Sequence, residues 1–303
     1  MRLSANAYAK INLILDNMGQ REDGYHSLRM LMQSVSLHNR VTLEVCCGEG
    51  ITVQCDGLDL PPEKSITYRA AEGFLRTFAP SQRQKQIRIQ IETHIPDQAG
   101  LGGASADVAT VLHLLDHAYQ TRLSHRELRE FGVQIGADVP FCLMGGTMLA
   151  EGIGEELTRL PDLCPCTILL AKPKEGISTK IAYQLLDEWA QKRGLVHSEI
   201  ERAMTAIREE NLPALSSLLF NSFEQAYCEG HLWESHGILT DLREKLLAGG
   251  ALGARMSGSG TTVYGIFDSE KTARECQKTL TLPGLQTFCC HPMPIGHEIL
   301  GEG

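Results

Sequence analysis

The chain has 303 residues, 43% of them hydrophobic and 21% charged, and carries a formal net charge of −9. Such a composition fills one large core or two ordinary ones, which excludes a mainly disordered chain. The acidic balance, with no basic block, excludes nucleic acid as the expected partner, and no stretch reaches the roughly 18 apolar residues of a membrane span.

The opening segment, MRLSANAYAKINLILDN, meets Lys10 and Asp16 early and lacks a leader cleavage region, so a cytoplasmic protein is expected. Strand-like pieces, Tyr8 to Leu15 and Val41 to Val45, flank a loop dense in glycine and charge. A helix is predicted over Thr67 to Phe78. Next, Ile87, Ile89, Ile91, Thr93 and Ile95 alternate with polar neighbours, the mark of a strand with one buried face. Pro96 closes that strand, and Ala99-Gly-Leu-Gly-Gly-Ala-Ser105 follows at once. Beyond it Val108, Val111, Leu112 and Leu115 recur at helical spacing. Ser124 and Glu127 form an S-x-x-E capping box that opens a helix to about Gly136. Val139 to Ala150 reads as a strand around Gly145 and Gly146.

Pro161 to Pro165 breaks the pattern and predicts two domains, residues 1–160 and 161–303. The second half starts with a strand, Thr167 to Lys172. Helices are predicted over Lys180 to Lys192, Glu199 to Arg208 and Glu234 to Leu247, the last closed by Gly249 and Gly250. Arg255 to Phe267 reads as strand, glycine loop, strand. The fold class is therefore α+β in two parts. The ten cysteines include no C-x-x-C, so buried reduced thiols are expected rather than zinc or disulfides. His113 and His117 sit four apart on a helix without the glutamate of H-E-x-x-H, and read as solvent-side residues.

Five segments could carry chemistry. Glycines at Gly100, Gly102 and Gly103 let backbone approach a ligand, and a helix N-terminus beyond them offers free N–H groups to a polyphosphate. A tight strand-to-helix turn accounts for them equally. Met256-Ser-Gly-Ser-Gly260 is a second such loop and, taken alone, a turn. Asp138, just before Pro140, could serve as a base or merely cap a turn. Lys10 interrupts an apolar strand, where its charge is costly unless paired, which marks it as functional. Tyr25 and His26, in Arg21-Glu-Asp-Gly-Tyr-His26, suit base stacking and an exposed Asp-Gly turn equally well.

Taken together, Ala9-Lys-Ile-Asn-Leu13, Gly19 through His26, Pro96 through Ala109, Gly136-Ala-Asp-Val-Pro-Phe141, Ala150-Glu-Gly-Ile-Gly154 and Met256 to Gly260 resemble the 4-diphosphocytidyl-2-C-methyl-D-erythritol kinases of the GHMP kinase superfamily. The resemblance implies a two-domain GHMP-kinase-like fold with its active site in the cleft between domains. It implies ATP, bound as its Mg²⁺ complex along Pro96, Ala99, Gly100, Leu101, Gly102, Gly103, Ala104 and Ser105. Lys10 and Asp138 fall on the catalytic pair, with Ser105 the hydroxyl available to the metal. Asn12, Tyr25, His26, Tyr183, Gly258 and Gly260 fall on positions that hold a small cytidine-nucleotide substrate, its cytosine between Tyr25 and Tyr183. Three departures stand out: Ala104 and Ala106 replace a glycine and a serine of the loop, and Ser65 stands near the position of an asparagine. The oligomeric state is left open.

Overall fold

The computed structural model describes residues 1–80 and 85–302. Strands β1 (Arg2–Gln20) and β2 (His26–Cys47) form one long antiparallel hairpin. β3 (Ile51–Cys55), β4 (Leu58–Asp59), α1 (Ile66–Phe78) and β5 (Lys85–Glu92) follow. Helices α2 (Gly103–Tyr119), α3 (His125–Gly132) and α4 (Val139–Met144) lead to a second hairpin, β6 (Thr147–Glu151) and β7 (Glu156–Arg159). The chain continues through β8 (Thr167–Lys172), α5 (Thr179–Arg193), α6 (Ile200–Arg208), α7 (Leu212–Ser217), β9 (Phe220–Asn221) and α8 (Ser222–Glu224), which runs into a π-helical turn, Gln225–Glu229. It then forms α9 (His236–Ala248), β10 (Gly253–Met256), β11 (Val263–Phe267), α10 (Glu270–Thr279), β12 (Gln286–Cys290), β13 (Pro292–Met293) and β14 (His297–Glu302).

The strands make two sheets. The larger runs β14-β1-β2-β5-β3-β4, with β6, β7, β9 and β13 branching from it; the smaller is β10-β11-β8-β12. From Ala5 to Asn17 every residue of β1 is buried, because the strand is covered on both faces. Leu3, Ala5, Ala7 and Leu15 belong to one apolar core, with α1 and α2, whereas Ile11, Leu13 and Ile14 belong to another, with β8 and α6. Shifts of register after Tyr8 and after Asn12 bend the strand between them. Lys10 and Asn12, two apart, therefore share the face opposite Ile11 and Leu13.

Several predicted elements stand as read, among them α1, α5, α6, α9 and the capping box of Ser124 and Glu127. Three readings change. Val139 to Ala150 is not one strand: Val139–Met144 is helical, with Pro140 in its first turn, where a missing N–H loses nothing, and the strand begins only at Thr147. The β5 strand ends at Glu92, short of Thr93 and Ile95. His113 is not a solvent-side residue, since its ring stacks 3.9 Å from that of His297. All ten cysteines carry free thiols, and burial pushes those of Cys166 and Cys290 up to about 12. Among the described residues, no helix is long and apolar enough to cross a membrane.

Candidate active site

The glycine loop between β5 and α2 is tied down on its carbonyl side. Leu101 O accepts from Lys10 N at 2.9 Å, Ala99 O from Thr262 N at 3.2 Å, and Gly100 O from Ser257 Oγ at 3.0 Å. Gly100 and Gly102 have φ of +73° and +71°, backbone that side chains resist. Space excludes a side chain as well. A Cβ on Gly100 would stand 2.1 Å from Ser257 O, and one on Gly102 would meet the Lys10 stem at 2.9 Å. The loop ends at Gly102, the N-cap of α2, whose first intrahelical bond is from Ala106 N to Gly102 O. The N–H groups of Gly103, Ala104 and Ser105 are thus left at the positive end of a 17-residue helix, an arrangement suited to phosphate.

Lys10 lies beneath that loop with its side chain 5% exposed. Its Nζ donates to Asn12 Oδ1 at 2.8 Å and stands 3.4 Å from Asp138 Oδ2. Asp138 occupies the N-cap position of α4 but makes no capping hydrogen bond; its carboxylate faces Lys10 instead. Its other oxygen has no partner among the described residues, and the side chain is 32% exposed, open to a ligand. Asn12 is the joint of the site. Oδ1 accepts from both Lys10 Nζ and Gly258 N (3.1 Å), its N–H donates to Ser257 Oγ, and its carbonyl accepts from Tyr264 OH. Asn221 Nδ2 secures the second loop by donating to Met256 O and Gly258 O at 2.8 and 2.9 Å. Behind it, Glu224 accepts from Met256 N at 2.7 Å and pairs with Arg243 and Arg255.

Beside this pair lies an aromatic cluster. His26, at the start of β2, stacks on Tyr183 of α5 with centroids 4.4 Å apart and planes 25° apart. His26 Nε2 is 2.7 Å from Asp187 Oδ1. Tyr183 packs edge-on against Phe223. Burial, then the charges of Asp138 and Asp187, push the Tyr183 phenol up to about 12, so the cluster and the Lys10–Asp138 pair share one electrostatic neighbourhood. Tyr25 is 61% exposed.

Residues 65–146 match the GHMP kinases N terminal domain and residues 203–283 the GHMP kinases C terminal domain. A 4-diphosphocytidyl-2-C-methyl-D-erythritol kinase of Acetivibrio thermocellus is 40% identical over 274 residues, 89% of this chain and 92% of that protein. Its counterpart in Clostridium tetani is 37% identical over 279 residues, 92% of this chain and 95% of that protein. The chain belongs to the 4-diphosphocytidyl-2-C-methyl-D-erythritol kinase family. A crystal structure of 4-(cytidine 5'-diphospho)-2C-methyl-D-erythritol kinase superposes with a TM-score of 0.77 at 29% identity, covering 95% of this chain and 98% of that one. Homoserine kinase from Cytophaga hutchinsonii, at 16% identity and TM-score 0.75 over 99% and 97% of the two chains, shares the fold.

In this kinase Lys10, Asn12, Gly100 to Ser105, Asp138, Gly258 and Gly260 come together in one place, with His26 and Tyr183 alongside. Among the described residues no ring contact joins Tyr25 to Tyr183, and it is His26 that stacks on Tyr183. Gly258 and Asn12 are bonded to each other rather than left open. Ser65 caps α1, its Oγ accepting from Tyr68 N at 3.0 Å. Sequence reasoning missed Asn221, Tyr264 and Asp187. Asn221 caps a helix of only three residues, and Tyr264 sits inside an apolar strand, so neither announced itself. Asp187 did leave a signal, standing four residues after Tyr183 on a predicted helix. Among the described residues, no group of three or more His, Cys, Asp or Glu side chains could hold a metal ion. The one hydroxyl side chain of the Gly100 to Ser105 loop is that of Ser105. Nucleotide is the fitting donor, since GHMP kinases take their phosphate from ATP.

Proposed function

We propose that this kinase transfers the γ-phosphate of ATP to the 2-hydroxyl of 4-diphosphocytidyl-2-C-methyl-D-erythritol, in the cytoplasm, as a step of non-mevalonate isoprenoid precursor synthesis. The observation that carries the reading is the 3.4 Å approach of Lys10 Nζ to Asp138 Oδ2 beside the glycine loop. A tertiary hydroxyl is a poor nucleophile, and a positioned carboxylate that takes its proton speeds such a step by roughly 10²–10⁴-fold. The free Asp138 oxygen accepts that proton as the new O–P bond forms. The bond from the γ-phosphorus to its bridging oxygen breaks, and ADP leaves. Lys10, 3.4 Å away, holds Asp138 in place. The N–H groups at the head of α2 hold the phosphates, and Mg²⁺ brought by ATP, with Ser105 as the residue that would hold it, would supply neutralisation of their charge.

At the acceptor end, Tyr25 and His26 receive the cytosine, with Tyr183 beneath the imidazole. The relatives named for the cytidine substrate favour this acceptor over homoserine or mevalonate, whose kinases share only the fold. The test is ADP release from Mg-ATP with the cytidine substrate, with homoserine, with mevalonate and with no acceptor. Turnover with the cytidine substrate alone is expected. Turnover with another acceptor alone moves the enzyme to that substrate.

A further inference from the structure

Two residues one helical turn apart on α5 grip the same imidazole: Tyr183 covers its face, and Asp187 takes its edge at Nε2. We propose that Asp187 is a specificity-determining residue of this kinase, holding the proton of His26 on Nε2 so that Nδ1 is a bare acceptor that selects cytosine over uracil. The inference rests on the reading that the cytidine end of the acceptor meets His26.

An ionised carboxylate has no proton to give, so the 2.7 Å contact with Asp187 Oδ1 requires Nε2 to donate. In a neutral imidazole the other nitrogen then carries a lone pair and no proton. A carboxylate behind a histidine fixes tautomer and ring orientation in the same way at metal sites. Here the ring is held twice over, since turning it end for end would break the Asp187 bond while Tyr183 keeps its plane. Nδ1 has no hydrogen-bond partner among the described residues. The two bases differ at the atom such a nitrogen would meet: cytosine presents an amino donor where uracil presents a carbonyl acceptor. Against uracil, two acceptors would face each other in a site where the His26 side chain is only 9% exposed, and neither would regain its water. A site that demands a donor rejects the ligand that lacks one more strongly than a shape difference could.

Nitrogen-15 NMR of His26, recorded without substrate at mildly alkaline pH, reads the tautomer directly. A proton on Nε2 and none on Nδ1 is expected; a proton on Nδ1 overturns the proposal. Inhibition by CDP and by UDP, competitive with the acceptor, reads the consequence. The wild type is expected to favour CDP by roughly tenfold or more, from the usual discrimination of one base contact. Asp187→Ala should narrow that preference several-fold, and an unchanged preference overturns the proposal. Asp187→Asn can offer His26 either an oxygen or an amino group, so tautomer and preference must move together. Nε2–H should accompany a CDP preference and Nδ1–H a shift toward UDP, and a mismatch overturns the assignment. Wild-type enzyme inert on the cytidine substrate would instead defeat the substrate reading, and the NMR result would still decide the tautomer.

Discussion

Gly100 and Ser257 touch across the site: Gly100 O accepts from Ser257 Oγ, and Ser257 O occupies the space a Gly100 side chain would need. The two glycine loops therefore form a single piece of backbone contributed from residues far apart in sequence. Gly100→Ala adds left-handed strain of about 1–2 kcal/mol to a clash with rigid backbone worth about as much or more. The variant should lose more than about 2 kcal/mol of stability by denaturant unfolding, and its KM for ATP should rise about tenfold or more. Gly24→Ala is the contrast: φ is +84° with nothing within 4 Å, so strain alone is expected, on the order of 1 kcal/mol, with ATP use unchanged.

Asp138→Asn keeps the shape of the base and removes its charge. Its kcat should fall by roughly 10²–10⁴-fold, with both KM values little changed in steady-state assays. Lys10→Met should fall comparably, since it strips Asp138 of its partner and leaves Asn12 Oδ1 with Gly258 alone. Because the two residues act as a unit, the double variant should be no slower than the worse single one. Additive losses would show that they act separately.

Tyr25 is exposed, so Tyr25→Leu should change stability by no more than about 0.5 kcal/mol. The same change should raise the KM of the cytidine acceptor roughly tenfold, the loss of one stacking contact. A KM that does not move would take the base away from Tyr25.

Two buried groups tilt the pH dependence of stability in opposite senses. Burial, then the stacked His113 and nearby His125, push His297 down to about 3, so below the ordinary value of 6.5 the unfolded chain binds the extra proton. Stability from this group is complete above pH 6.5 and falls as acid is added, by about 1.4 kcal/mol per pH unit. Burial pushes Asp107 up from 3.8 to about 7 despite its bond from Asn39, so there the folded chain binds the extra proton and stability falls as pH rises across that interval. Between about pH 4 and 6.5 the two slopes offset each other. Relative to wild type, His297→Phe should fall in stability with rising pH through that window, and Asp107→Asn should rise. Parallel curves for all three proteins would refute both assignments.

How far the sequence could be read depended on what each residue faced. The strand with Ile87, Ile89 and Ile91 was plain because one face meets a core and the other does not. β1 was only half seen, since burial on both faces from Ala5 to Asn17 erases the alternation that betrays a strand. Val139 to Met144 is apolar throughout and therefore ambiguous, and Pro140 decided for helix by sitting where a helix tolerates it. At the site, Lys10 stood out because a charge in an apolar strand demands an explanation. The joining role of Asn12 was hidden, since it depends on Gly258, 246 residues away. Asp187 showed itself only as a helical neighbour of Tyr183, and its contact with His26, 161 residues distant, left no local pattern.

The pairing of β14 with β1 bears on how the enzyme comes to exist. The strand that carries Lys10 finds one of its three partner strands only at residues 297–302, and Tyr8 bonds Glu298 across 290 residues of chain. Closing so long a loop is entropically slow, and contacts of high sequence separation set folding rates. During synthesis the outer edge of β1 therefore waits, apolar and unpaired, until most of the molecule has been made. An unpaired edge of this kind is an aggregation hazard, and faster elongation through the second half would shorten its exposure.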